Sequence, residues 1–149
     1  MIQFQRDYLP ALLGLPLGLV AGLILTALVR GRELAAWDAR VTLPLLLGAA
    51  AAHLALLTSV EQPRAIFFVL YALSIFATVA SGLVGVALWR LAAVALPAAS
   101  ILAYGYFAAV AHEADVIGLL VKVAELAAIA AALIPVLRPR PGRGRLTVS

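Results

Sequence analysis

AIFFVLYALSIFATVASGLVGVALWRLAAVALPAASILAYGYFAAVA, residues 65–111, contains one charged side chain, Arg90. A helix crossing a membrane takes about 20 residues, each rising 1.5 Å through roughly 30 Å of hydrocarbon. A run more than twice that long reads as two helices. Trp favours the membrane interface and Arg the headgroups, so Trp89 and Arg90 mark the expected hairpin tip.

The neighbouring segments follow the same logic. Hydrophobic residues make up 65% of the 149-residue chain, against roughly 45–50% apolar in soluble domains. Tyr8 to Val29 is too long for a signal-peptide core and is read as a retained helix. The polar connector RGRELAAWDAR leads to Val41 to Val60, which EQPR closes with Pro63. The last apolar run ends in PRPGRGRLTVS, where prolines and glycines forbid a continuing helix. The expected fold is therefore an all-α integral membrane protein, a compact bundle of five helices near residues 8–29, 41–60, 65–88, 91–111 and 115–137. Residues 1–137 form the transmembrane domain and residues 138–149 a basic, disordered tail.

Eight arginines fall on one side of these spans: Arg30, Arg32, Arg40, Arg90, Arg138, Arg140, Arg143 and Arg145. Arg6 and Arg64 fall on the other, where the last loop is acidic. The positive-inside rule then puts the amino terminus outside and the tail in the cytoplasm of a cell-membrane, multi-pass protein. The formal charge of +4 follows from this topology, not from a nucleic-acid surface. The tail's arginines are suited to an anionic leaflet.

In lipid, small residues let helix backbones approach closely. Gly14, Gly18 and Gly22 form such a ridge on the first span, with Thr26 continuing it and Pro16 expected to bend it. On the third span Tyr71, Ser74, Thr78, Ser81 and Gly85 share one face. Ser and Thr there can bond carbonyls of their own helix, so the row reads as packing before it reads as a water path.

Charge is scarce, at 12% of residues, yet HEADVIGLLVKVAEL (His112 to Leu126) carries five ionisable side chains. Helix capping accounts for His112 and Asp115. Lys122 and Glu125 lie at i, i+3 within membrane depth, where an isolated charge costs about 2.5–3.5 kcal/mol on insertion scales. The two can form an ion pair. His53 lies at a similar depth on the second span, so His53, Lys122 and Glu125, rimmed by His112 and Glu113, form a candidate polar membrane site if spans two and five meet.

No cysteine is present, which removes disulfides and thiol chemistry. HEADV lacks the second histidine of HExxH. A haem between His53 and His112 is geometrically allowed, but their depths differ and nothing else marks a haem crevice. No metal or cofactor is expected. No hydrolase, phosphate-loop or dinucleotide motif occurs, so an enzyme is not expected either. The leading expectation is an accessory or interaction subunit of a larger membrane complex, or a homo-oligomer. The alternative is a small transporter, or an ion-, proton- or lipid-binding protein, built on His53, Lys122 and Glu125.

Overall fold

The computed structural model describes residues 9–29, 37–110 and 115–137. These are all-helical: α1 (Leu9–Leu28), α2 (Trp37–Ala55, with a 3-10 turn Leu56–Thr58), α3 (Gln62–Leu83), α4 (Trp89–Val110) and α5 (Val116–Leu137). All five are long and apolar enough to cross a membrane. The tail beyond residue 137, and His112 and Glu113, lie outside the described residues.

α2 is the axis of the bundle, packed against α1, α3 and α5, while α4 leans on α3 and α5. The glycine ridge explains the tightest of these contacts. A methyl group added at Gly14 would sit 2.6 Å from the Ala51 carbonyl oxygen, and one at Gly22 would sit 2.5 Å from Pro44 Cα. One at Gly18 would run into the Leu47 carbonyl oxygen. The pairing of Gly14 with Ala51, Gly18 with Leu47 and Gly22 with Pro44 runs antiparallel. The ridge is thus consumed within the chain, backbone against backbone.

The α3–α4 hairpin differs from the sequence expectation. α3 stops at Leu83, and Val84 caps it. Gly85 follows with φ of 78°, the left-handed conformation that glycine adopts without a Cβ clash. Val86 N–H donates to the Ser81 carbonyl at 2.9 Å, and Gly85 N–H to that of Gly82 at 3.4 Å. This paired closure, a Schellman motif, satisfies two of the last carbonyls of the helix. Gly85 accordingly belongs to the turn and is exposed, rather than extending the packing row of Ser74, Thr78 and Ser81. Trp89 is not at an interfacial tip either. It opens α4, is only 2% exposed, and lies over Gly82, where a methyl group would meet its ring at 3.3 Å.

Two further boundaries shift. α2 begins at Trp37, inside the polar connector, so Asp38 enters the bundle and is buried. The Arg90 guanidinium meets it as an ion pair and stacks 4.7 Å over the Trp89 ring. A residue read as a topology signal therefore also ties the start of α4 to the start of α2. At the other end, Glu61 N-caps α3 in extended conformation with Pro63 in the first turn, where a missing N–H is harmless.

Two glycine substitutions separate packing from propensity. Gly18→Ala forces a Cβ into backbone and should destabilise by about 1–3 kcal/mol, as overpacking does. Gly105→Ala meets nothing within 4 Å and should be neutral or stabilising by up to about 1 kcal/mol. Thermal unfolding in one detergent decides, and equal melting shifts for both would count against the α1–α2 contact.

Candidate functional site

Glu125 lies nine residues into α5, about 14 Å along a helix about 33 Å long. It is therefore midway through the bundle, and it has no exposed surface (0%). A carboxylate there requires donors, since an uncompensated buried charge is strongly destabilising. Three elements supply them. Lys122 Nζ donates to Oε2 at 2.8 Å from one turn back on α5. Tyr71 of α3 donates its hydroxyl to Oε1 at 2.7 Å, and Ser100 of α4 donates to the same oxygen at 3.0 Å.

Lys122 is 8% exposed and donates a second bond to Ser100 Oγ at 2.5 Å. Ser100 therefore accepts a hydrogen bond from the ammonium and donates one to the carboxylate. The ammonium also lies 5.8 Å from the centre of the Tyr104 ring, within reach of a cation–π attraction. Lys122 turns inward to this set, with its head group in the bundle.

His53 comes from α2, 6% exposed, because α2 and α5 do pack together. Its Nδ1 lies 2.8 Å from the Ala49 carbonyl oxygen. A carbonyl can only accept, so Nδ1 carries the hydrogen. In the neutral ring Nε2 then presents a lone pair, and Nε2 is 3.9 Å from Glu125 Oε1. Phe68 meets the ring edge-on at 5.1 Å, and Tyr71 lies at 4.6 Å. The imidazole is thus held by one hydrogen bond and two aromatic walls.

His53, Lys122 and Glu125 are brought together, whereas His112 and Glu113 lie outside the described residues, as does any pairing of His112 with His53 around a haem. Ser74 and Thr78 stand apart from the site. Each donates to a carbonyl one turn back on α3, Leu70 and Ser74 respectively, at 2.8 Å. Tyr71, the first member of that row, belongs to the site instead. Ser100 and Tyr104 carried no signal in the sequence beyond being polar on an apolar span. Their spacing of four, continuing Trp89, Ala93 and Pro97 on the buried face of α4, is the pattern that singles them out.

At the start of α5, Asp115 caps the helix. Its Oδ1 accepts from Gly118 N–H at 2.7 Å, the N-cap to N3 bond. The Tyr104 hydroxyl donates to the Asp115 carbonyl at 3.0 Å and accepts from the Asp115 N–H at 3.1 Å. Tyr104 also packs on Gly118, where a methyl group would meet its ring at 2.6 Å. Burial pushes the Asp115 carboxyl above its usual range, with the helix N–H bonds opposing.

Two stability series test this site. Glu125→Leu leaves a buried ammonium without its counter-charge and the Tyr71 hydroxyl without its acceptor, and should cost about 3–5 kcal/mol. Lys122→Leu should cost less, because two hydroxyl donors still serve the carboxylate. The double change should cost less than Glu125→Leu alone, and single effects that merely add would sink the coupling. At Asp115, Asn keeps the cap whereas Ala loses it, at about 1 kcal/mol. An acid whose folded pKa is raised contributes stability that is lost as pH rises through that value. Asp115→Asn should therefore gain on the parent as pH rises from below about 4, and an unchanging difference in melting temperature would overturn this.

Compared with protein families, curated proteins and solved structures, the chain matches none.

Proposed function

We propose that this chain is a small, non-enzymatic, multi-pass membrane protein that takes up and releases a proton at the Glu125 cluster. In this reading the amino terminus is outside and the arginine-rich tail lies on the anionic cytoplasmic leaflet. The observation that carries it is the convergence of His53, Lys122 and Glu125 at mid-depth, each from a position where a charge is costly. With Lys122 charged, Glu125 ionised and His53 neutral, the set is neutral overall. An added proton has two places to go. On His53 Nε2 it makes an imidazolium facing the carboxylate 3.9 Å away. On Glu125 it releases the hold on Lys122. Either state reorganises the bonds that tie α3, α4 and α5 together, so protonation is coupled to helix packing.

A second reading, the accessory or interaction subunit, has its own support. The buried residues of α4 are confined to Trp89, Ala93 and Pro97, while Leu91, Leu102, Tyr106, Phe107 and Val110 are exposed. Lipid or another chain covers that face. Co-purification in mild detergent at a fixed stoichiometry would favour the subunit.

For the proton reading, full-length protein in lipid should give a pH-jump infrared difference band of a protonated carboxyl group that Glu125→Gln removes. The chain has two histidines, so nitrogen-15 histidine labelling with His112→Gln isolates the His53 ring. If that ring is invariant across the range where carboxylates and imidazoles ordinarily titrate, and no Glu125-dependent band appears, the proton reading fails.

A further inference from the structure

The polar groups around Glu125 are distributed unequally between the two ends of the bundle. Towards the α4–α5 end they form a series. Asp115 caps α5, and its backbone is bonded to the Tyr104 hydroxyl. The Tyr104 ring adjoins Lys122, Lys122 bonds Ser100, and Ser100 bonds Glu125. Towards the α3–α4 turn, Leu43, Leu46, Ile75 and Ala128 are fully buried and pack as one cluster with Trp89. The buried hydroxyls there form no series to Glu125, since Thr78 bonds its own helix and Thr42 has no partner among the described residues. Below them the Asp38–Arg90 ion pair joins α2 to α4.

The packing of α4 follows the same division. Its first half is seated in the core through Trp89, Ala93 and Pro97. No described residue of α4 beyond Pro97 is buried, and the space beside Gly105 is open. Ser100 and Tyr104 tie that half to α5 by polar bonds, and the Tyr104 ring also packs on Gly118. Pro97 removes one backbone hydrogen bond where the two halves meet, a usual place for a helix to bend. Polar bonds can be exchanged for bonds to water at little net cost, whereas opening an apolar cluster exposes surface that water does not compensate.

We infer that water and protons reach Glu125 from the α4–α5 end alone, along the α4–α5 seam lined by Asp115, Tyr104, Lys122 and Ser100. This rests on the proton-binding reading and adds a direction to it. Among the described residues, the titratable groups facing the route are His53 from α2, Tyr71 from α3, Tyr104 from α4, and Asp115 and Lys122 from α5; those of α1 contribute none. A proton passing from water to Glu125 leaves hydroxide or neutral water behind at that end only. The site thus reports the pH of one compartment, and carriage to the other requires the Leu46, Ile75 and Ala128 cluster to open.

The natural absence of cysteine makes the test direct. Single cysteines are placed in the full-length protein reconstituted in vesicles and treated from outside with a membrane-impermeant cationic methanethiosulfonate. Thr58→Cys, exposed beside the α2–α3 connection, measures the fraction of molecules with the α4–α5 end outward. Val86→Cys, exposed in the α3–α4 turn, measures the opposite fraction. Ser100→Cys should be modified to the same fraction as Thr58→Cys, and Thr42→Cys should stay unmodified until the protein is unfolded. If Ser100→Cys does not give a monodisperse protein, Tyr104→Cys carries the same expectation. Modification at position 100 or 104 that tracks Val86→Cys, that is independent of side, or that is absent while Thr58→Cys reacts, would each overturn the inference. So would modification of Thr42→Cys from the α3–α4 end. Labelling depends on water access and not on protonation. A side-specific result with neither a Glu125 carboxyl band nor a titrating His53 ring therefore refutes the proton reading while leaving the route, and the converse refutes the route alone.

Discussion

A carboxylate with no exposed surface midway along α5 constrains the arrangement of the other helices. Each oxygen of Glu125 needs donors, and a single helix offers only Lys122 at a reachable spacing. The remaining donors come from α3 and α4, and the neighbouring imidazole comes from α2. Four helices thus meet at one side chain. Apolar contacts between helices gain little over contacts with lipid, so association relies on close packing and on polar bonds. The bundle uses both, in different places. α1 is fastened to α2 by glycine against backbone, while α3, α4 and α5 share one network of hydrogen bonds.

The number of helices was legible because each apolar run has a length set by hydrocarbon thickness, a property independent of tertiary structure. So was the i, i+3 coupling of Lys122 with Glu125, which is local to one helix. The glycine ridge was visible as a pattern, but its partner was not, because any helix presenting small residues satisfies it. The error at Trp89 and Arg90 has a physical source. Interfacial preference describes an aromatic residue facing lipid, and Trp89 instead covers Gly82 in the protein interior. The residue that makes the turn is Gly85, which on a helical wheel continues the row of Ser74, Thr78 and Ser81. Only the backbone conformation separates the two roles. Asp38 was misplaced for a related reason: beside Arg40 and Trp37 it reads as loop, and only its long-range pairing with Arg90 brings it into the helix. Ser100 was missed because one serine in an apolar span is usually satisfied by its own helix, as Ser74 is here. What distinguishes Ser100 is a lysine and a glutamate from another helix, which no local pattern encodes.

Two ionic contacts among the described residues differ in what they can do. Asp38 and Arg90 pair at the end of the bundle, where both helices begin and where the guanidinium also rests on Trp89. An arginine keeps its charge at any ordinary pH and its fork suits a carboxylate. Such a pair works as a fixed clasp. Glu125, Lys122 and His53 are the opposite. All three are side chains whose charge burial can alter, and their partners are hydroxyls that donate or accept as required. The first joins two helix ends, and in the proposed reading the second is where a proton is taken up.

This contrast explains the division of α4 at Pro97. Its first half is held by the clasp to Asp38 and by apolar burial, both away from Glu125. Its second half is held by Ser100 and Tyr104, whose bonds depend on the state of the groups they touch. A change of charge at Glu125 therefore acts on half a helix and leaves the rest in place. In the proposed reading, confining the response to the part of α4 beyond Pro97 lets the fold survive a change of charge at Glu125.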